Sequence, residues 1–121
     1  MLQIGVMNIM KLDPLHIEQQ ESNGRYLLKL SGELDLAVVP QLQAALDRVI
    51  KRTDVALVLD MKDVAYIDST GIGIIVSILK TRHSIHAPFY VRNIPDRVRR
   101  LFDMTGLSGY LKEGEGEEAE A

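Results

Sequence analysis

The residues best suited to chemistry form a short polar cluster, Asp68, Ser69 and Thr70, closely followed by two glycines, Gly71 and Gly73. Side-chain oxygens at the start of a helix accept hydrogen bonds from the free N–H groups of its first turn, so a helix cap is one interpretation. A cap alone leaves the glycines unexplained, because each costs about 1 kcal/mol relative to alanine inside a helix. Glycines have no side chain, so another backbone can approach the helix start closely. A role in packing within the domain is the other explanation.

The same glycines raise the alternative of a loop that binds the phosphates of a nucleotide. In that motif a third small residue follows, and an acidic residue lies about 20 positions further on. Here Val76 stands at the third position, and Val91-Arg92-Asn93 occupies the place of the acid. The remaining chain is also too short for a two-part dinucleotide-binding domain. A small nucleotide-binding or hydrolysing enzyme is therefore the less favoured alternative.

Ser69 has a third interpretation, as a hydroxyl that another enzyme modifies. A serine at the positive end of a helix tolerates a phosphate, because the helix dipole and the N–H groups of the first turn stabilise the added charge. The phosphate brings nearly two negative charges close to Asp68. A partner surface that fits the neutral serine would meet repulsion and a desolvation cost, and a loss of a few kcal/mol corresponds to about a hundredfold or more in affinity. We therefore expect such a modification to switch binding rather than folding.

The composition limits the class of protein to which this cluster belongs. The chain has 121 residues, of which 46% are hydrophobic, and no cysteine. One domain with a single core is predicted, without disulfides, thiol catalysis or thiolate metal sites. No apolar run is long enough to span a membrane, and no basic residue precedes the first apolar stretch as in a signal peptide. We expect a cytoplasmic protein with no membrane insertion and no metal, since His83 and His86 have no third ligand nearby.

Charge is distributed unevenly along the chain. Residues 113–121 carry five glutamates and no base, which predicts a disordered acidic tail or, alternatively, an interaction segment. The rest of the chain has a net charge of +2, from 14 basic and 12 acidic residues. Binding to nucleic acid requires a basic stripe, so this nearly neutral body argues against direct nucleic-acid binding.

Hydrophobic periodicity predicts strands that alternate with helices, and therefore an α/β domain. The turn Asn23-Gly24 joins the first two strands as an antiparallel hairpin, and Gly106 is placed to end the last helix. The predicted strands are 16–20, 26–30, 55–59 and 89–91, with a weaker candidate at 3–9. The predicted helices are 40–51, 70–82 and 95–104, and a turn is predicted over 60–64. The unbroken apolar run at 55–59 indicates a strand covered on both faces.

Three separated segments make the chain resemble a known family. They are LSGELD at 30–35, IDSTGIG at 67–73 and VRRLFDMTGL at 98–107. In this order they are similar to the STAS-domain anti-sigma factor antagonists, over about residues 15–111. The resemblance implies an α/β STAS fold, a mixed β-sheet of four to five strands opened by an antiparallel hairpin and packed by about four helices. It places the STAS domain at 15–112, between an N-terminal extension at 1–14 and the acidic disordered tail at 113–121.

The resemblance also implies a function. The unphosphorylated protein would bind an anti-sigma factor that is itself a serine kinase, and this binding would free a sigma factor. The kinase would phosphorylate the serine that matches Ser69, and a serine phosphatase would reverse the modification. A regulatory binding protein of this kind is no enzyme and needs no cofactor.

Further site residues follow from the matching positions. Asp35 and Asp68 match the acidic positions that flank the phosphorylation site, and Thr70 is the less favoured acceptor. Asp35 either orients the Ser69 hydroxyl and nearby N–H groups or simply caps a helix. Gly71 and Gly73 would shape the docking surface, whereas Asp60 is assigned a structural role in a turn. The alternative function from the same family is a STAS scaffold subunit of a stress-signalling or transport complex.

Overall fold

The computed structural model describes residues 15–114, so the strand candidate at 3–9 and most of the acidic tail lie outside the described residues. Within this range the strands are β1 (Leu15–Ser22), β2 (Arg25–Leu34), β3 (Ala56–Ile67) and β4 (Phe89–Arg92). The α-helices are α1 (Val39–Leu46), α2 (Ser69–Ser84) and α3 (Asp96–Met104). Short 3-10 helices, Leu36–Val38 and Leu107–Tyr110, precede α1 and follow α3. The predicted α/β class is confirmed, with three α-helices in residues 15–114 rather than about four.

The strands form one mixed sheet in the order β1-β2-β3-β4. β1 and β2 are antiparallel and are joined by the predicted hairpin turn, in which Asn23 and Gly24 have φ angles of 51° and 77°. Positive φ at both central residues gives a turn whose twist matches that of the two strands. β2, β3 and β4 run parallel to one another, so their carboxyl ends meet at the same edge of the sheet.

β3 is a single strand of 12 residues, and the turn predicted over 60–64 is wrong. The pairing of β3 with β2 shifts register twice, between Lys29 and Ser31 and again between Gly32 and Glu33, and each time β3 contributes one extra residue. Such bulges bend a strand without ending it. They also interrupt the alternation of apolar and polar residues by which a strand is recognised in a sequence.

Asp60 is buried within β3 rather than exposed in a turn. Its carboxylate accepts hydrogen bonds from the backbone N–H of Lys62 at 3.0 Å and from Nε of Arg92 at 2.9 Å. Burial raises the pKa of the Asp60 carboxyl, but these two bonds and the amide of Asn93 outweigh it and hold the pKa below its ordinary value. The role of Asp60 is therefore structural, as expected, but it ties β3 to β4 instead of shaping a turn.

The main core lies on one face of the sheet, where all three α-helices bury their apolar sides. The opposite face buries only a small cluster: Ala56, Val58 and Tyr90, with Leu27 beside them. Residues 55–59 are buried along their whole length, as their apolar run predicted. Of the helices in residues 15–114, none combines the length and apolar character needed to cross a membrane.

Helix α1 ends at Leu46, earlier than predicted, and the chain continues to residue 51 in tight turns. The guanidinium of Arg82, which is completely buried, faces carbonyls of this segment and of three later residues. Arg82 donates hydrogen bonds to the carbonyls of Val49, Ile50, Arg52, Val55 and Pro88. This one side chain therefore fastens α2 to the loops that precede β3 and β4.

After α3 the chain returns to the sheet beside β4. Val91 donates its N–H to the carbonyl of Lys112 at 2.9 Å and accepts a bond from the N–H of Gly114 at 3.1 Å. Glu113 forms a bidentate ion pair with Arg99, with N–O distances of 2.6 and 2.8 Å. Residues 113 and 114, the first two of the segment predicted as a tail, are therefore held against β4.

Candidate functional site

Asp35 and Asp68 lie side by side at the edge where β2 and β3 end. Leu34 is the register partner of Ile67 in the parallel pair, and each aspartate is the residue that follows. The N–H of Asp68 donates to the carbonyl of Leu34 at 3.3 Å. Parallel strands with matched ends therefore bring together two acidic residues that are 33 positions apart in the chain.

Both aspartates act as helix caps. Asp68 Oδ1 accepts hydrogen bonds from the N–H groups of Thr70 at 2.9 Å and Gly71 at 3.1 Å, at the start of α2. Asp35 Oδ1 accepts a bond from the N–H of Ala37 at 3.0 Å, at the start of the 3-10 helix Leu36–Val38. Asp35 was expected either to orient the Ser69 hydroxyl and nearby N–H groups or to cap a helix. The bond that the structure shows is the helix cap.

The cap at Asp68 changes the electrostatic argument about Ser69. The sequence suggested that first-turn N–H groups would stabilise a phosphate on this serine. Two of those groups already donate to Asp68, so a phosphate must compete with a carboxylate for them. Repulsion between the two anions then becomes the main local consequence of phosphorylation.

Ser69 is the first residue of α2 and is exposed to solvent, whereas Thr70 beside it is half-buried. Two large apolar side chains near this edge are also exposed, Leu36 at 71% and Tyr66 at 48%. Leu36 directly follows Asp35, and Tyr66 lies two residues before Asp68. An accessible hydroxyl with exposed apolar neighbours is suited to contact with another protein.

The two glycines occupy different environments. Gly71 is buried, and a Cβ at this position would lie 2.6 Å from the backbone oxygen of Leu34 and 2.7 Å from a side-chain carbon of Ile67. Gly73 is exposed, and a Cβ there would meet nothing within 4 Å. The structure thus gives Gly71 a packing reason, since it lets α2 approach the end of β2, and leaves Gly73 on the open surface of the helix.

Alanine substitutions at these glycines are expected to have opposite effects on stability. Gly71→Ala should lower the free energy of unfolding by about 1–3 kcal/mol, because its methyl group meets backbone that cannot easily move. Gly73→Ala should raise it by up to about 1 kcal/mol, because alanine favours the helix and has room. Denaturant unfolding followed by circular dichroism measures both, and each variant is the control for the other. Equal destabilisation by both changes would contradict the geometry.

The exposed face of α2 extends from Ser69 into an apolar groove. Ile72 and Val76 follow Ser69 at three- and seven-residue spacing, so they share its side of the helix. They line a groove of about 350 Å³ whose opposite wall includes Leu107 and Tyr110 from the second 3-10 helix. Periodicity alone does not separate such a groove from the core, because an apolar residue on a groove has the same period as one in the interior.

Neither Leu36 nor Tyr66 was recognised from the sequence as a surface residue. Both stand in apolar runs, and nothing in their spacing separates them from buried neighbours.

Across residues 15–114, no group of three His, Cys, Asp or Glu side chains is arranged to hold a metal ion. The candidate site is a surface of hydroxyl, carboxylate and apolar groups.

The fold and this site define the class of protein: the chain belongs to the STAS domain family, whose model matches residues 16–121. Among individual relatives, it is 34% identical over 106 residues to the anti-sigma-B factor antagonist of Staphylococcus aureus, covering 88% of this chain and 98% of that protein. The names of the sequence relatives describe regulators rather than enzymes.

Solved structures show the same fold. An anti-sigma factor antagonist from Mycobacterium paratuberculosis matches with a TM-score of 0.74 at 24% identity, over 89% of this chain and 92% of that one. The anti-sigma factor antagonist SpoIIAA in its unphosphorylated form matches with a TM-score of 0.69 at 22% identity, over 86% and 92% of the two chains. The phosphorylated form of SpoIIAA from Bacillus matches with a TM-score of 0.65 at 21% identity, over 86% and 96%.

Proposed function

We propose that this protein is an anti-sigma factor antagonist: its unphosphorylated form binds an anti-sigma factor and thereby releases a sigma factor. The observation that carries the proposal is the exposed hydroxyl of Ser69 at the start of α2. The sequence relatives are anti-sigma-B factor antagonists, and the match to this chain covers nearly their whole length. They support the same function. Sigma factors act with RNA polymerase, so the protein would work in the cytoplasm.

The partner would dock on the edge that carries Ser69 and along the exposed face of α2. Leu36 and Tyr66 offer apolar contact area next to the hydroxyl, and the groove beside Ile72 and Val76 continues this area along the helix. Gly73 has no side chain and therefore leaves helix backbone exposed on this surface. The strongest contacts of an interface are anchors near its centre, from which the surrounding contacts exclude water, and Ser69 lies at one end of this apolar surface.

Phosphorylation would switch this docking off. The partner, acting as a kinase, would position ATP so that Ser69 Oγ attacks the γ-phosphorus. A bond from Oγ to phosphorus forms, the bond to the ADP oxygen breaks, and a base of the kinase takes the hydroxyl proton. A serine phosphatase would reverse the change by directing water at the phosphorus, which releases inorganic phosphate and restores the hydroxyl.

The switch acts through charge at the interface. A phosphate on Ser69 has close to two negative charges and stands beside Asp68, whose carboxylate already holds the N–H groups of Thr70 and Gly71. A partner surface that contacts the neutral hydroxyl would then have to desolvate two adjacent anions. Since Ser69 is exposed, the fold itself has no buried contact to lose.

Phosphorylation of Ser69 is expected when the purified protein is incubated with its anti-sigma factor kinase and ATP. Intact-mass spectrometry should show the addition of one phosphoryl group to the wild-type protein and to Thr70→Ala. Ser69→Ala should gain none. If Ser69→Ala is phosphorylated stoichiometrically, or if Thr70→Ala alone blocks the reaction, the assignment of the acceptor is wrong.

A further inference from the structure

The apolar groove beside α2 continues toward the carboxyl end of that helix. It shares Leu79 and Tyr110 as walls with a second hollow of about 130 Å³. The second hollow adjoins a third, of about 370 Å³, and the residues common to both are His83, Ala87, Pro88 and Lys112. The three hollows form one depression along the helix, here called the α2 trough.

The first part of the trough is apolar. Its walls are mainly hydrocarbon, from Ile72, Val76, Leu79, Leu107 and Tyr110. The hydroxyl of Thr105, which also lines it, bonds to the carbonyl of Leu101 at 3.0 Å. Lys80 is the only charged residue that lines this part among residues 15–114. An occupant therefore gains from removing apolar area from water here and finds few partners for polar groups.

The dimensions of this part favour a single hydrocarbon chain. Ile72 and Leu79 are seven residues apart, which is about 10 Å along the helix axis. A volume of about 350 Å³ over that length corresponds to a mean cross-section of about 35 Å². A helix with its side chains is about 10–12 Å across, so it is too wide to enter. An extended peptide is narrower, but its backbone N–H and C=O groups would lie unpaired against hydrocarbon.

The other end of the trough carries polar donors. His83, His86 and Lys112 line it and are exposed to solvent. The chain turns tightly between the two histidines, where the N–H of His86 bonds to the carbonyl of His83 at 3.0 Å. An ammonium group offers a positive charge and three donors, and each imidazole offers at least one N–H. These groups suit the oxygens of a carboxylate or a phosphate.

The charges around this end also favour an anion. None of the described residues that line the three hollows is acidic. Glu113, which follows the last of these residues, is bonded to Arg99 at 2.6 Å. Asp54, whose negative charge reaches Arg82, is bonded to Arg52 at 2.6 Å. The nearby carboxylates thus already have cationic partners.

The negative end of the α2 dipole lies here as well and opposes an anion. Its carbonyls are already bonded, since Thr81 accepts from the N–H of Ile85 at 3.3 Å and Arg82 from that of Ala87 at 2.9 Å. The side chain of Arg82 adds a buried positive charge at the middle hollow. The dipole amounts to about half a charge, so the full charges of Arg82 and Lys112 outweigh it.

We propose that the α2 trough binds a single-chain amphiphile with an anionic head. The alkyl chain lies in the groove beside Ile72, Val76 and Leu79, and the head, a carboxylate or a phosphate ester, lies at Lys112 and the two histidines. This binding is independent of Ser69. One consequence rests on the proposed function: the apolar part of the trough belongs to the surface proposed to dock the anti-sigma factor, so a bound amphiphile should weaken that docking.

Titration of the isotope-enriched, full-length protein with dodecanoate, below its micelle concentration, tests this site by NMR. Dodecanoate should shift the methyl signals of Val76 and Leu79 together with the amide signals of His83 and Lys112, and the shifts should saturate. Dodecyl phosphate should shift the same signals, and the tighter of the two ligands identifies the preferred head. Inorganic phosphate should bind far more weakly, because it lacks the chain. Dodecyltrimethylammonium, with the same chain and a cationic head, should leave His83 and Lys112 unshifted.

Substitutions at the two ends of the trough provide a second test. Lys112→Glu should weaken dodecanoate binding by about tenfold or more, because a like charge replaces the cationic partner of the head. Lys62→Glu is the matched control, since Lys62 is exposed and lies in the part of β3 beyond the end of β4, and it should change the affinity by less than about twofold. Tyr110→Ser should also weaken binding, and its side chain is 73% exposed, so the fold should be retained.

Several results would overturn the proposal. They are the absence of saturable shifts with both anionic amphiphiles, equal affinity for dodecyltrimethylammonium, and wild-type affinity of Lys112→Glu for dodecanoate. Shifts of the same signals with protein concentration, in the absence of any ligand, would assign the trough to a second copy of the chain. If dodecanoate binds in the trough but leaves the calorimetric affinity for the anti-sigma factor unchanged, the proposed docking surface is wrong and the amphiphile site is not.

Discussion

Ser69→Asp is expected to weaken binding to the anti-sigma factor by about a hundredfold or more, equivalent to about 3 kcal/mol of binding free energy. The substituted carboxylate places a second anion next to Asp68, at the edge where the partner would dock. Its effect on folding should be small, because position 69 is exposed and its side chain has no buried contact to lose.

Titration calorimetry with the purified anti-sigma factor measures this loss, and circular dichroism shows whether the fold is retained. Ser22→Asp is the matched control, since Ser22 is also exposed but lies at the hairpin end of the sheet, far from the edge with Ser69. It should bind as tightly as the wild-type protein. Wild-type affinity for Ser69→Asp, or an equal loss for both variants, would contradict a charge switch at this edge.

Arg82→Ala is expected to lower the free energy of unfolding by about 3–5 kcal/mol. Its guanidinium is the shared donor for five backbone carbonyls in two loops, and removal would leave buried acceptors without partners. Burial lowers the pKa of Arg82 from its usual value, and the negative charge of Asp54 opposes that change. The direct hydrogen bonds of this buried cation all go to backbone carbonyls among the described contacts, and Asp54 acts on it through charge without a hydrogen bond.

Denaturant unfolding measures the effect of this substitution, with Arg48→Ala as the control for loss of an exposed arginine. The control should change the free energy of unfolding by no more than about 0.5 kcal/mol. Arg82→Lys should be intermediate, because an ammonium group offers three donors where the guanidinium offers five. If Arg82→Ala unfolds at the same denaturant concentration as Arg48→Ala, the assigned role of Arg82 is wrong.

The parts of the fold that depend on local chemistry were predictable from the sequence. Asn23-Gly24 specified a hairpin because both residues accept positive φ, and Gly106, with φ of 78°, ended α3 for the same reason. A helix cap by Asp68, Ser69 or Thr70 was one interpretation of the sequence, because these residue types suit a first turn, and Asp68 is the residue that caps α2. These features require only a few neighbouring residues.

Features that depend on distant partners were not predictable in this way. The two bulges of β3 are defined by the register of β2, so the sequence of β3 alone resembled a strand interrupted by a turn. The role of Arg82 depends on carbonyls up to 33 residues away, and backbone carbonyls leave no signal in a sequence. The contact of Gly71 with Leu34 likewise becomes visible only when α2 is placed against β2.

The site was predictable to a similar extent. The residues around Ser69 were singled out by type and spacing, and the resemblance to STAS antagonists added Asp35, which the structure places next to Asp68. The exposed apolar residues Leu36 and Tyr66 were missed, because exposure depends on where the neighbouring elements pack. A surface is thus harder to infer than a reactive group, since it is formed by residues whose types suit a core equally well.

The central claim is that this domain displaces a sigma factor through the edge that carries Ser69. Its most direct test is titration of the purified protein into a preformed complex of the sigma factor and the anti-sigma factor, with released sigma factor measured by size-exclusion chromatography. The unphosphorylated protein should release the sigma factor, and the same protein phosphorylated on Ser69 should not. Failure of the unphosphorylated protein to release any sigma factor, or equal release by both forms, would contradict the claim and favour a scaffold role for this STAS domain.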